Sequence, residues 1–86
     1  MAVAIGLRVR FFARLRELAG VETESIQVGA ASTLSDVYAV LREGHPQLPG
    51  REGVRGALNA EFAGWDTMVS EGDEVAFIPP VSGGVR

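Results

Sequence analysis

The chain has 86 residues, which is enough for one small domain and too few for a two-domain enzyme. It has no cysteine and a single histidine, which excludes disulfides, thiolate metal sites, cysteine nucleophiles and histidine-rich zinc sites. All eight basic residues are arginine and the net charge is −3, which argues against nucleic-acid binding and excludes a catalytic lysine. No apolar run could span a membrane and no signal peptide is evident, so we expect a cytoplasmic protein with no membrane partner.

The first predicted element is a strand over residues 3–11. Apolar residues alternate there with Gly6, Arg8 and Arg10, which indicates one buried face and one partly solvated face. Phe12 interrupts the polar side of this alternation. We therefore expect Phe12 either to cap the end of the strand or to be an exposed contact residue.

A short helix and a second strand are predicted next. Residues 13–19 are good helix formers, and Gly20 is placed to end the helix. Residues 22–28 carry Ile26 and Val28 at alternate positions, and Gly29 ends the run. This second strand is expected at an edge of the sheet.

The main helix is predicted to begin after Thr33. Thr33 and Asp36 have the spacing of a capping box, in which each side chain accepts a hydrogen bond from the other residue's backbone N–H. An apolar stripe follows at helical spacing, and the helix stops at residues 44–46. His45, in this stop, is expected to be a solvent-side loop residue. The stripe comprises Leu34, Val37, Tyr38 and Leu41.

The second half of the chain is predicted to supply the remaining strands. Residues 47–56 lack periodicity and are expected to form a loop. Residues 54–62 indicate two short strands around a turn at Asn59 and Ala60, since asparagine tolerates positive φ. Residues 74–78 form an apolar run short enough to be a buried strand.

The order of these elements predicts an α+β roll of the β-grasp kind. The first and last strands are the most apolar, so they are expected to lie side by side and parallel at the centre of one mixed sheet of about five strands. The main helix is expected across one face. We assign residues 1–78 to this domain and residues 79–86 to an extended tail.

The tail has a composition suited to insertion into another protein. Pro79 and Pro80 remove backbone donors, so the chain cannot continue as a paired strand there. Gly83 and Gly84 carry no side chain and could enter a channel too narrow for any Cβ, bringing a terminal carboxylate to a partner's active site. The alternative is a frayed tail without function, because termini are usually loose.

Three apolar residues are expected on the sheet face that the helix leaves open. They are Phe12, Phe62 and Ile78, and together they predict a partner-binding patch beside the exit of the tail. The alternative for each is ordinary apolar surface.

Four arginines fall within nine residues of this acidic chain. One interpretation is a solvated strand face that pairs with Glu22 and Glu24, and the other is steering toward an acidic partner. The four are Arg8, Arg10, Arg14 and Arg16.

Three segments together resemble the small, sulfur-carrying subunit of molybdopterin synthase. They are residues 9–20, the turn at Asn59, and the string Gly-Asp-Glu-Val-Ala-Phe-Ile-Pro-Pro-Val-Ser-Gly-Gly at residues 72–84. The similarity covers residues 5–84, and the last string is its most specific part. The sulfur carrier of the thiamine pathway shares the roll and the Gly-Gly end but lacks the Pro-Pro-Val run.

The resemblance implies a ubiquitin-like fold and a carrier role. In this family an E1-like enzyme uses ATP to adenylate the carboxylate of the residue matched by Gly84, and a sulfur-donating enzyme converts it to a thiocarboxylate. The large subunit of molybdopterin synthase then uses that sulfur to form the dithiolene of molybdopterin. The chain is thus expected to be no enzyme on its own, to bind no cofactor, and to contact its partner through Pro79, Pro80 and Val81 as well as the apolar patch.

Val85 and Arg86 depart from the family pattern, because they follow the Gly-Gly pair at which the family's chains ordinarily end. Trimming by a protease, a remnant of a longer chain and an incompetent carrier are the three explanations. A carrier for another pathway, of thiamine or amino-acid type, and an interaction module with an inert tail remain as alternative functions.

Overall fold

A computed structural model describes residues 3–79 of the chain. These residues form five strands and two helices in the predicted order. The elements are β1 (Ala4–Phe11), α1 (Ala13–Ala19), β2 (Thr23–Gly29), α2 (Leu34–Gly44), β3 (Arg55–Leu58), β4 (Glu61–Ala63) and β5 (Glu74–Ile78).

The strands form one mixed sheet in the order β2-β1-β5-β3-β4. Strands β1 and β5 lie side by side and parallel, with Val9 opposite Val75 and Phe11 opposite Phe77. All four of these side chains are buried. The other pairings are antiparallel, and β2 is an edge strand. This strand order confirms the predicted β-grasp roll. The two most apolar strands lie at its centre because central strands must bury their apolar residues.

Helix α2 covers one face of the sheet. Both hydrogen bonds of the predicted capping box are present at its N-terminus, since Thr33 Oγ1 accepts from Asp36 N and Asp36 Oδ2 accepts from Thr33 N. The predicted stripe is buried, and the ring centroid of Tyr38 lies 4.9 Å from that of Phe77 on β5. A Cβ on Gly56 of β3 would lie 3.1 Å from Leu34 Cδ1, so glycine permits the close approach of helix and strand.

The connection between α2 and β3 is attached to the core at several points. Leu48 and Val54 are buried, and the Tyr38 hydroxyl donates a 2.7 Å hydrogen bond to the Pro49 carbonyl. Burial raises the pKa of the Tyr38 hydroxyl above its ordinary value. The predicted loop thus supplies one core residue, Leu48, that its irregular sequence did not indicate, while Val54 is buried where the loop meets the predicted strand.

The segment between β4 and β5 packs over the start of α2. The carbonyls of Thr67 and Trp65 accept hydrogen bonds from the backbone N–H groups of Leu34 and Ser35, which a helix start otherwise leaves without partners. The indole of Trp65 stacks on the ring of Phe77 at 5.8 Å. The helix therefore sits at a defined position, and the opposite face of the sheet stays open.

Candidate docking surface at the exit of the tail

Two rows of side chains cross the open face of the sheet. In the first row, strand register places Arg10 beside Ala76, Ala76 beside Ala57, and Ala57 beside Phe62. In the second row, Ile78 lies opposite Arg55. Small residues thus occupy the middle of the face, and larger ones stand around them.

These side chains enclose an apolar groove of about 160 Å³. Its lining consists of Phe12, Ala57, Ala60, Phe62, Ala76 and Ile78. The structure therefore brings together the three apolar residues predicted from alternation. Phe12 is 39% exposed and Phe62 is 60% exposed, so both present large apolar area to solvent.

Phe12 occupies the point where the chain leaves the sheet. It is the N-cap of α1 in an extended conformation, and Ala13 follows with a φ of 51°. The α1 helix then turns back and buries Leu15. A left-handed φ costs an alanine about 1–2 kcal/mol, so the sharp turn after Phe12 is maintained by the surrounding packing.

Phe62 is positioned by the tight turn between β3 and β4. Asn59 and Ala60 both have positive φ in this turn, as the sequence predicted for Asn59. The Asn59 side chain donates to Asp73 Oδ1 at 3.0 Å and accepts from the Glu74 N–H at 2.9 Å. These hydrogen bonds fasten the turn to the start of β5, and so they hold one wall of the groove against its floor.

Two arginines stack on the aromatic walls. Arg55 Cζ lies 4.0 Å from the centroid of the Phe62 ring, and Arg10 Cζ lies 5.3 Å from that of Phe12. The Arg10 guanidinium also lies 3.6 Å from Glu74 and 3.9 Å from Glu22. Cation–π contacts of this kind limit the freedom of both partners.

The predicted pairing of arginines with Glu22 and Glu24 is correct only for Glu22. Glu24 shares the buried face of the sheet with Val9, and its Oε1 lies 2.7 Å from His45 Nε2. The expectation of a solvent-side His45 is therefore wrong. Its side chain is 20% exposed and packs edge-on against Phe11, because the C-terminus of α2 brings it over the end of the sheet.

Neither a metal site nor a membrane helix is found in the described part of the chain. Residues 3–79 contain no group of three histidine or acidic side chains arranged to hold a metal ion. No helix among those residues is long and apolar enough to cross a bilayer.

Comparison with known proteins identifies the family. The profile of the ThiS family matches residues 9–84. The chain belongs to the ThiS family. A molybdopterin synthase sulfur carrier subunit from Chlamydomonas reinhardtii is 36% identical over 81 residues, which are 91% of this chain and 98% of that protein. Small archaeal modifier protein 1 from Haloferax volcanii is 37% identical over 84 residues, 87% of this chain and 97% of that protein.

Solved structures agree with this ThiS-family assignment. A crystal structure of the H. volcanii small archaeal modifier protein 1 superposes with a TM-score of 0.82 at 29% identity, covering 90% of this chain and 99% of that one. A protein-protein complex of subunits 1 and 2 of the molybdopterin-converting factor from Helicobacter pylori contains a chain with a TM-score of 0.66 at 27% identity, covering 93% and 100%.

The ThiS-family match extends beyond the described residues. Ile78 ends β5, and Pro79 follows it in a half-buried position at the border of the described chain. The predicted site residues Pro80, Val81, Gly83 and Gly84 lie outside the described residues, so their roles stay predictions. The groove residue Ile78 thus directly precedes Pro79, the first residue of the predicted tail.

Sequence reasoning missed the floor of the groove and one of its arginines. Ala76 alternates with the buried Val75 and Phe77, so the pattern of β5 already placed it on the open face. Ala57 and Arg55 join the site only through the pairing of β3 with β5. That pairing joins segments about twenty residues apart and has no local signal.

Proposed function

We propose that this protein is a sulfur carrier that bears a thiocarboxylate on Gly84 and donates its sulfur to the large subunit of a molybdopterin synthase. The observation that carries this proposal is the apolar groove at the end of β5. Its residue Ile78 directly precedes the tail, and the family match includes that tail as far as Gly84. Relatives of this size are named molybdopterin synthase sulfur carrier subunits. A carrier needs a docking surface close to its reactive end, and the groove has that position.

The chemistry proposed for Gly84 proceeds in two steps. A carboxylate is a poor acyl electrophile, so an E1-like enzyme first transfers AMP from ATP to its oxygen and releases pyrophosphate. A hydrosulfide equivalent from a sulfur-donating enzyme then attacks the carbonyl carbon, the C–S bond forms, and AMP leaves with the oxygen. ATP is consumed on the activating enzyme in trans, and the carrier itself holds no cofactor. The chain stores sulfur on its terminus, since it has no cysteine.

The tail residues have separate roles in this proposal. Gly84 reacts, and Gly83 keeps the segment narrow enough to enter a partner's channel. Pro79 and Pro80 stiffen the connection to the domain, which reduces the conformational entropy lost on insertion. Val81 contacts the partner between the stiff segment and the glycines.

The domain supplies binding and the partner supplies the active site. Phe12, Phe62 and Ile78 dock on the large subunit, and docking places the tail at the large subunit's reaction centre. The carrier is then the sulfur-donating subunit of a heteromeric sulfurtransferase and not an enzyme by itself. Its interaction surface is on the domain, and its reactive atom is on the tail.

Intact-mass measurement tests the carrier chemistry. A chain that ends at Gly84 is incubated with an E1-like enzyme, ATP and a sulfur source, and the expected product is heavier by the difference between one sulfur and one oxygen atom. The matched control omits ATP and should show no gain. A chain that forms the adenylate but never the heavier product would contradict the sulfur-carrier proposal.

A second candidate function is protein modification, favoured by the similarity to proteins named small archaeal modifier protein 1. An amine of a target protein would then displace AMP from the activated Gly84 and form an amide. The chain has no lysine, so copies of it could not be joined through a side-chain amine. Mass-spectrometric detection of a Gly84 amide on a target lysine would support this function, and thiocarboxylate without any amide would contradict it.

A further inference from the structure

Two arginines border the groove, and the guanidinium group of each stacks on one of its aromatic walls. Arg55 stacks on Phe62 at 4.0 Å and Arg10 stacks on Phe12 at 5.3 Å. Stacking uses the flat face of a guanidinium and leaves the N–H donors at its edge available. A stacked arginine that no other carboxylate occupies is therefore a preorganised donor for a planar acid.

The two arginines differ in the number of acidic side chains near them. Among residues 3–79, Arg55 has no carboxylate within 4.0 Å. Arg10 has two, Glu74 at 3.6 Å and Glu22 at 3.9 Å, and both distances exceed those of a hydrogen-bonded ion pair. The groove thus has one positive wall, at Arg55, in a protein whose net charge is −3. A positive site on an acidic protein favours a partner with local negative charge.

The spacing of the arginines defines what fits between them. Arg10 on β1 and Arg55 on β3 are separated by β5 and offset by two residues, so their Cα atoms are about 12 Å apart. The groove of about 160 Å³ lies between them. A cavity of about 150 Å³ accommodates a benzene-sized group, so this groove has room for one bulky apolar side chain.

We infer that this face recognises an acidic segment of the large subunit, in which one bulky apolar side chain fills the groove and a neighbouring carboxylate pairs with Arg55. Arg10 borders the other side of the groove and keeps its own two acidic neighbours, Glu74 and Glu22. The inference rests on the proposed function for the identity of the partner. It adds the chemistry by which the partner is recognised. The apolar groove provides affinity, and Arg55 fixes the position of the bound segment and raises the association rate.

Calorimetric titration of the carrier with purified large subunit tests the inference, in salt from about 50 to 500 mM. Arg55→Glu is expected to raise Kd about thirtyfold or more at low salt, and Arg55→Lys about fivefold, because lysine keeps the charge but loses the stacked fork. Arg51→Glu is the matched control, since Arg51 also stacks on an aromatic ring, that of Trp65, away from the groove. It should change Kd by less than about twofold. Binding of the unchanged carrier should weaken with salt more steeply than binding of Arg55→Glu.

The outcomes separate the inference from the proposed function. If Arg55→Glu binds like the unchanged carrier while Phe62→Ala binds weakly, the groove binds the large subunit without recognising its charge. The inference is then wrong. If Arg55→Glu fails only with the E1-like enzyme, the acidic segment belongs to that enzyme and the inference is again wrong. If the unchanged carrier does not bind the large subunit at all, the proposed function fails. Thermal unfolding followed by circular dichroism verifies that Arg55→Glu is folded.

Discussion

His45 Nε2 lies 2.7 Å from Glu24 Oε1, and this contact fastens the C-terminus of α2 to the edge strand β2. The histidine ring also packs edge-on against Phe11, at a centroid distance of 5.8 Å. Both side chains are partly removed from water, at 20% and 35% exposure. The pair therefore stabilises the end of the sheet from which the chain enters α1.

Replacement of either partner is expected to destabilise the domain. Glu24→Ala and His45→Ala should each lower the free energy of unfolding by about 1–2 kcal/mol, and the double variant should lose less than the sum. Urea unfolding provides the measurement. Glu22→Ala is the control, since Glu22 is an exposed acid 3.9 Å from Arg10. It should lower the free energy of unfolding by less than about 0.5 kcal/mol. Strict additivity of the two single variants would show that the contact contributes nothing.

The buried hydroxyl of Tyr38 is expected to make the stability of the protein depend on pH in the alkaline range. Its pKa is raised in the folded protein because burial disfavours the charged phenolate. The stabilising contribution of the neutral hydroxyl is therefore complete below the ordinary pKa of about 10 and is lost as pH rises above it. Tyr38→Phe should lower the free energy of unfolding by about 1 kcal/mol at neutral pH, since the hydrogen bond to Pro49 is lost. Above a pH of about 10 the stability of this variant should decline less steeply than that of the unchanged protein. The same alkaline decline in both proteins would contradict this assignment.

Phe12 and Phe62 are expected to contribute to binding and hardly to stability. Phe12→Ala and Phe62→Ala should each weaken binding to the large subunit by about 1–3 kcal/mol, with little change in Tm. Met68 is 52% exposed and does not line the groove, so Met68→Ala is the matched control. A large fall in Tm with unchanged affinity would show that these rings belong to the core.

Ala60 is expected to be a position where glycine stabilises the protein. Its φ of 73° disfavours any residue with a Cβ. Ala60→Gly should therefore raise the free energy of unfolding by about 0.5–1 kcal/mol, after the greater freedom of glycine in the unfolded chain is included. Ala39 lies on the exposed side of α2 and has helical backbone, so Ala39→Gly is the control. This variant should lower the free energy of unfolding by about 1 kcal/mol. Equal destabilisation by both variants would contradict the strain assigned to Ala60.

The tail is expected to act only when the carboxylate belongs to Gly84. A chain that ends at Gly84 should be adenylated and thiolated, whereas one that continues through Val85 and Arg86 should not, since its Gly84 carbonyl is in an amide. Gly83→Leu should abolish sulfur transfer with no change in Tm, because a glycine has no side chain to bury and the bulky leucine would widen the tail. Intact mass and a sulfur-transfer assay provide the measurements. Equal transfer by a chain verified to retain both extra residues would overturn the mechanism at Gly84.

The sequence alone determined the order of elements and the centre of the sheet. Period-two alternation in residues 3–11 and the short apolar run at residues 74–78 each specify a buried face locally. The capping box at Thr33 and the positive φ at Asn59 are likewise local, because the first joins residues three positions apart and the second depends on asparagine itself. Three of the groove residues were predictable for the same reason, since alternation assigns a face to Phe12, Phe62 and Ile78.

Only the tertiary structure decided which of these faces meet and which other side chains lie beside them. The register between β3 and β5 places Arg55 and Ala57 beside Ile78 and Ala76, and no local pattern encodes a pairing across that distance. His45 ends a helix in the sequence, yet its partner Glu24 lies 21 residues earlier, so the pair exists only after α2 has packed on the sheet. Short-range hydrogen bonding and alternation set the elements, whereas burial across the whole domain sets their contacts.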